Sequence, residues 1–535
     1  MTLQKKIKLI LPFALFAILT TNLFSQDKPD WEGGVPEGCT TITVGKLASD
    51  NGSVMTSHTD DSHRTRSWLD ITPAKDHAEG ATATMYKRNT YDSLAMPTYK
   101  HDPIGTIPQV SHTYQFINTA YPSMNEHQLA IGETTFGGRE SLQSDEGLID
   151  CQRLCQLMLE RTTTAREAIQ LAGDLLEKYG WNDAGEMLTI ADPKEVWHIE
   201  IVGPGKGKVG AVWVAQRVPD DHISVGANSA RIRQINLDDP DYFMASENIF
   251  TVAQDSGWWN PSEGEFEFVY AYAPSSRNSM AARRREWRVF DLAAPSLNLD
   301  PNAENYPFSV KPDAPVSKEK MVEMFQDYYE GTPFNFVKNL TVADDSGNVI
   351  ISPLANPFMP YDMNKLFKIN GGWDWRGERT IARWYTMYAT ITQSRDWLPD
   401  EIGGVVWLAW DNVATSVYTP IYSNITEVNK YFKTPGRING YTYDSSWWAF
   451  NRLGTLAAQR WGDMRHDVRA VWDPMQEEIF GNQEEFEARV LELLETDRDT
   501  AIKMMTDYTN EWGIKATERA WKLGDELWTK YDELF

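Results

Sequence analysis

The chain has 535 residues, 41% of them apolar and 24% charged. That is the balance of an ordinary globular protein, which excludes a disordered tail or a multi-span membrane protein. Its 51 Lys and Arg face 76 Asp and Glu, a formal charge of −25, and so acidic a surface repels phosphate backbones and excludes nucleic acid as the expected partner. A chain this long buries enough core to fold without disulfides or metals, so its three cysteines are read for chemistry.

The N-terminus reads as an export address. Lys5, Lys6 and Lys8 precede an apolar run from Leu9 to Leu19, then Thr20-Thr21-Asn22 and Leu23-Phe24-Ser25. A basic start, a short apolar centre and a small residue at the cut describe a signal peptide over residues 1–25. The run falls short of the ~20 apolar residues of a membrane span, and no later stretch reaches that length. The mature protein is therefore expected to be exported, periplasmic or secreted, with no transmembrane segment; an uncleaved N-terminal anchor is the plainer alternative. Residues 26–38, ending Gly33-Gly34-Val35-Pro36-Glu37-Gly38, read as a glycine-rich propeptide.

Order begins at Cys39. Thr40 to Val44 predicts a β-branched strand, Asp50-Asn51-Gly52 a hairpin turn, and Ser53 to His58 the returning strand. A cysteine at the start of a hairpin, behind a disposable leader, is placed as an N-terminal nucleophile has to be. Cleavage between Gly38 and Cys39 would free an α-amine of pKa about 7.7–8.0, suited to serve as base for the thiol of the same residue. A buried structural cysteine satisfies the same local pattern.

Ser141 to Leu159 and Thr164 to Tyr179 have helical periodicity, the second opened by a Thr164-x-x-Glu167 capping box and stopped by Gly180. Cys151 and Cys155 share one face of the first helix at a Cβ spacing of about 5–6 Å, too wide for a disulfide, and read as buried thiols with a metal pair as the lesser alternative. Residues 186–235 predict a strand meander with turns at Asp192-Pro193, Gly203-Pro204-Gly205 and Pro219-Asp220-Asp221. From Pro474 onward the pattern is helical. Strands and helices in separate blocks indicate an α+β fold, with stacked sheets covered by helices.

Other chemistries lack their residues. There is no His-Glu-x-x-His and no Cys-x-x-Cys set for a metal, no Gly-x-Ser-x-Gly elbow and no phosphate-cradling loop, so no cofactor or metal is expected. The tryptophan pairs Trp258-Trp259, Trp373-x-Trp375 and Trp447-Trp448 could stack on sugars, yet Trp in a large core is usually packing.

The chain resembles the PepD-like cysteine dipeptidases, N-terminal-nucleophile (Ntn) hydrolases related to secernins and, more distantly, to penicillin V acylase and the choloylglycine (bile salt) hydrolases. The resemblance rests on Cys39-Thr40-Thr41-Ile42-Thr43-Val44-Gly45, on the block Tyr121-Pro122-Ser123-Met124-Asn125-Glu126 continuing to Gly132-Glu133-Thr134-Thr135-Phe136, and on Ile190-Ala191-Asp192-Pro193, Ala227-Asn228, Gln393-Ser394-Arg395-Asp396-Trp397 and Gly403-Gly404-Val405-Val406-Trp407. These blocks run in family order from about residue 39 to 475. It implies a four-layer αββα sandwich over residues 39–473, with residues 474–535 as a helical extension packed on it.

The resemblance also implies site residues. Cys39 would be the nucleophile, and Asp61, with Asp60 as the fallback, would hold the freed α-amine. Asn228 would serve the oxyanion hole. Glu133, Thr134 and Thr135 would line the pocket, and Arg284 is chosen from Arg283-Arg284-Arg285 as the site arginine. His58 stands where many relatives carry arginine, a departure from the family pattern. The reading is an exported cysteine peptidase hydrolysing dipeptides or short peptides through a thioester, after self-cleavage at Gly38-Cys39. A homo-oligomer is compatible with it. The alternative is an amidase or acylase acting on a non-peptide acyl amide, with a non-catalytic relative or a carbohydrate-binding protein behind it.

Overall fold

In the computed structural model, which describes residues 38–62, 65–91, 98–357 and 378–534, the hairpin that carries Cys39 forms where the sequence places it. Strand β1 (Gly38–Val44) returns as β2 (Val54–Asp61), and Gly52 supplies the left-handed residue of the turn, at φ +86°, a conformation that favours glycine. The second strand runs three residues beyond His58, so Asp60 and Asp61 lie inside a buried strand and not in a turn after it. The signal peptide over residues 1–25, the propeptide up to residue 37, and Trp373 and Trp375 lie outside the described residues.

Two antiparallel sheets dominate. The further strands are β3 (Asp70–Thr72), β4 (Phe116–Asn118), β5 (Met124–Asn125), β6 (Ala130–Gly137), β7 (Gly185–Ala191), β8 (Val196–Val202), β9 (Val212–Val218), β10 (Ile223–Gly226), β11 (Phe243–Ala245), β12 (Ser309–Val310), β13 (Thr386–Ser394), β14 (Val405–Trp410) and β15 (Thr419–Tyr422). One sheet has the order β12-β10-β1-β2-β13-β14-β15, the other β11-β9-β8-β7-β6-β5-β4-β3. The sheets meet face to face where β1 and β2 pack on β6 and β7. β7 to β10 are the predicted meander, turning where the Gly and Pro residues fall, although β10 crosses into the sheet of β1 and β2.

The contact between the sheets is partly polar. Gly132 makes it close: a Cβ there would stand 2.2 Å from the Ser57 carbonyl oxygen. Thr56 and Thr189 hydroxyls meet at 2.6 Å, and Thr43 Oγ1 meets His198 Nε2 at 2.9 Å. Burial drives the His198 imidazole pKa down to about 3, aided by Arg231, so it is a neutral partner.

Helix α1 (Cys151–Arg161) begins ten residues later than its periodicity predicts. Asp150 caps it, accepting from the Arg153 amide at 2.8 Å. The preceding segment is held elsewhere: Ser144 Oγ donates to the Lys208 carbonyl at 2.6 Å, and Gly147 lies so close to Trp181 that a Cβ would stand 2.5 Å from its backbone. Helix α2 (Ala165–Tyr179) has the full Thr164–Glu167 capping box and ends at Gly180, φ +77°; it packs on β7 and β8. Cys151 and Cys155 are buried free thiols.

Helix α3 (Met280–Ala293) lies against β10. The C-terminal helices are α4 (Ser446–Gln459), α5 (Trp461–Gly481), α6 (Gln483–Leu494) and α7 (Arg498–Tyr531). The helical run thus opens ahead of Pro474, which sits inside α5. Helix α7 packs on α4 and β15, and Arg395 after β13 pairs with Glu487 of α6 at 2.8 Å. Trp447 is core, and Trp258 lies under the Arg139 guanidinium at 4.7 Å; these rings pack against protein. Among the described residues no helix is long and apolar enough to cross a membrane.

Candidate active site

Strand register sorts the candidate carboxylates. Cys39 pairs with Asp60 and Gly38 with Asp61 across β1 and β2. Successive side chains in a strand point to opposite faces, so His58 and Asp60 share the Cys39 face, towards the second sheet, and Asp61 points to the other. Asp61 accepts from Thr386 Oγ1 at 2.7 Å and pairs with Arg379. Asp60 accepts from Thr65 Oγ1 at 2.6 Å.

Cys39 is 5% exposed, and its thiol donates to Glu133 Oε2 at 3.3 Å. His58 Nε2 lies 3.3 Å from the same oxygen, and the edges of Tyr121 and Tyr388 bracket its ring. Burial pushes the thiol well above its usual range, and Glu133, Asp60 and Asp61 push it further. Glu133 leans the other way: burial would raise it, but hydrogen bonding with His58 and Glu186 holds it below the usual carboxylate range. Burial and Glu133 together raise Glu186 well above that range. Thr135 Oγ1 bridges the two carboxyl groups, 3.1 Å from Glu133 Oε1 and 2.8 Å from Glu186 Oε1. A hydroxyl has one hydrogen to give, which fits one ionised and one protonated carboxyl.

Asn228 joins the pieces. Its Oδ1 accepts from the Cys39 N–H at 3.0 Å and from Arg285 Nη2 at 2.9 Å, while its Nδ2 donates to the Thr135 carbonyl at 2.8 Å. It does so from a left-handed backbone, φ +58°, which Asn tolerates better than most residues. A buried ion cluster holds the next residues. Ser229 Oγ donates to Glu286, Glu286 pairs with Arg277 at 3.0 Å, and Ser276 Oγ accepts from the Ala230 amide at 3.0 Å.

The arginine at this site is Arg285. It donates to the Cys39 carbonyl at 2.6 Å, to Thr40 Oγ1 at 2.8 Å and to the Ala227 carbonyl at 2.9 Å. Burial, with Arg379 nearby, lowers its pKa to about 9. Arg284 is placed elsewhere: it pairs with Glu378 at 2.8 Å and stacks on Phe334 at 3.4 Å. Arg283 donates to the Ala303 carbonyl at 2.8 Å. Consecutive residues of a helix point about 100° apart, and nothing local in Arg283-Arg284-Arg285 sets the rotation of α3.

The structure therefore brings Cys39, His58, Asp60, Glu133, Thr135 and Asn228 together, with Asp61 on the opposite face of the same strand. Thr134 is buried beside Gly226, whose Cβ position is 3.3 Å from Thr134 Oγ1. Sequence reading missed Arg285, Glu186 and Arg379. Glu186 reaches Glu133 because β6 and β7 pair antiparallel with Thr135 opposite Glu186, a pairing across two intervening helices that no local pattern announces.

Comparison with known proteins places the chain in a family. Of curated proteins, a "Probable dipeptidase" of Latilactobacillus sakei is 25% identical over 438 residues, covering 79% of this chain and 82% of its own length. A "Probable dipeptidase" of Salmonella dublin is 26% identical over 403 residues, 72% of this chain and 81% of its own. "Dipeptidase A" of Lactobacillus helveticus is 23% identical over 411 residues, 75% and 78% respectively. The sequence model of peptidase family C69 matches residues 38–474, which begins one residue before the buried thiol and takes in every site residue named above: the chain belongs to peptidase family C69.

Proposed function

We propose that the protein is an exported dipeptidase of the Ntn-hydrolase type, whose paired sheets and flanking helices form the αββα sandwich of that class. The observation that carries this reading is the convergence on Cys39. Its backbone nitrogen meets Asn228 at 3.0 Å, its carbonyl meets Arg285 at 2.6 Å, and its thiol faces the Glu133 carboxylate at 3.3 Å. Both main-chain groups are held by side chains from distant parts of the chain, Asn228 and Arg285, which fixes the position of the residue that would act with its own α-amine.

In this reading the Gly38–Cys39 bond is cut and the freed amine takes the thiol proton. The sulfur attacks the scissile carbonyl carbon, the leaving amine takes up that proton, and water hydrolyses the thioester. Arg285 and Asn228 hold the nucleophile's main chain, and Asp60 and Asp61 supply negative charge around the new ammonium. Oxyanion donors come from the Asn228 and Glu133–Thr135 segments. The mature enzyme is periplasmic or secreted.

A panel of unmodified dipeptides against penicillin V and conjugated bile salts tests the substrate class. Turnover of dipeptides, lost in Cys39→Ala, is the expected result. Turnover confined to the acyl amides would assign the protein to the acylases.

A further inference from the structure

His58 gives this site something that an arginine there would not, a nitrogen able to bind a metal. Cys39 Sγ and His58 Nε2 each bring a donor towards Glu133 Oε2, both at 3.3 Å, and the three donor atoms all lie within 4.8 Å of one another. Ligands around a tetrahedral Zn²⁺ with bonds of 2.0–2.3 Å are about 3.4–3.6 Å apart. Two of the three donor pairs are therefore already near the required spacing, and the third lies within 4.8 Å.

A second observation points the same way. His58 Nε2 is buried, and its contact with Glu133 Oε2 at 3.3 Å is one that a shared metal would replace. Its ring is fixed by Tyr121 and Tyr388, with the Tyr388 hydroxyl 3.4 Å from Nδ1. The other oxygen of Glu133 is held by Thr135 at 3.1 Å. Partners of this kind orient the ligands of built metal sites.

We propose that Cys39, His58 and Glu133 form an inhibitory site for a thiophilic divalent cation such as Zn²⁺ or Co²⁺. The S–metal bond forms as the thiol proton leaves to solvent, with no change of oxidation state, and a water fills the fourth position. Thiolate and imidazole select such ions over Mg²⁺ or Ca²⁺. The bound ion takes the sulfur out of reaction, so a chelator restores activity. The binding claim stands on the three side chains alone; only its inhibitory effect rests on Cys39 being the nucleophile.

The test is titration of the purified protein with Co²⁺ alone. A thiolate-to-cobalt charge-transfer band should appear, saturating at about one ion, with release of about one proton. Cys39→Ser should abolish the band. His58→Arg should weaken binding at least about tenfold, given that even outer-sphere changes cost 10–100-fold. Cys151→Ala should keep the band, which excludes the neighbouring Glu133–Cys151–Glu186 group as its source. Thermal melts establish that each variant is folded, and if His58→Arg fails to fold, His58→Gln replaces it. A band that survives Cys39→Ser or vanishes in Cys151→Ala, or saturation without a band, overturns the proposal. Loss of the band in a Cys39→Ser protein that still cleaves dipeptides would leave the metal site standing and defeat the functional reading.

Discussion

Arg285 reaches from the middle of α3 to the carbonyl of Cys39, 2.6 Å away across 246 positions of sequence. The adjacent Arg284 spends its charge on Glu378. Two neighbours in one basic run thus have different tasks, and they should fail differently. Arg285→Lys loses the fork that spans Cys39, Thr40, Ala227 and Asn228, and kcat/KM is expected to fall by about 10²–10³, as for loss of a preorganised donor. Arg284→Ala breaks a buried pair and should cost about 3–5 kcal/mol of stability, while the folded fraction keeps its turnover. Denaturation curves and kinetics on both proteins check this; equal kinetic losses would contradict it.

Gly38 is confined by Arg379 and Asn228. A Cβ there would stand 2.5 Å from Arg379 Nη1 and 2.7 Å from Asn228 Oδ1, and both partners are themselves engaged. Gly38→Ala should slow leader removal and let the unprocessed chain accumulate, while any chain that is cut has normal turnover, because residue 38 is then gone. Intact mass spectrometry over a time course of expression gives the answer. Processing at the wild-type rate would show that this crowding does not matter.

Two buried glutamates near Asn228 give stability opposite slopes with pH. Burial would raise Glu286, but Arg277 and Arg231 hold it down at about 2, so its contribution is present above the unfolded value of about 4.3 and is lost as pH falls from there towards 2. Glu200 is pushed up to about 8 by burial, against the amide bonds from Arg231 and Ile232. Its contribution is present below about 4.3 and is lost as pH rises towards 8, at about 1.4 kcal/mol per pK unit at most. Melts of Glu200→Gln should therefore gain on the wild type progressively between pH 5 and 8. Glu286→Gln should be less stable at neutral pH and lose less on acidification. Parallel curves for all three proteins would refute the assignment.

The three thiols separate by task. Cys151 and Cys155 are buried in α1 without a disulfide, so Ala at either should leave activity intact and cost roughly 1–3 kcal/mol through lost packing. Alkylation at Cys39 should abolish activity, and EDTA should not. Peptide mapping of the labelled protein, alongside residual activity, measures both. Restoration of EDTA-treated protein by Zn²⁺ would contradict the account.

Much of this was legible beforehand, for local reasons. The hairpin at Cys39, the Thr164–Glu167 cap and the meander turns are written in residues that act within a few positions of themselves. What stayed hidden is set by distance and rotation. Asp60 and Asp61 differ only in which side of β2 they occupy, and the register with β1 decides it. Arg285 instead of Arg284 depends on the rotation of a helix 246 residues from its target. The start of α1 at Cys151 depends on Trp181 and Lys208, which hold residues 144–147 from outside the segment. Arg379 entered through its contact with Asp61, which no spacing announces.

The central claim is that Cys39 works as an N-terminal residue. The direct measurement is the intact mass and N-terminal sequence of the purified, active protein, with activity compared between that form and one carrying a single extra residue before Cys39. The account predicts a mature chain beginning at Cys39, and an extended form that has lost most activity although its thiol still reacts with small alkylating agents. A fully active protein that keeps Gly38, or any of the leader before it, would contradict it.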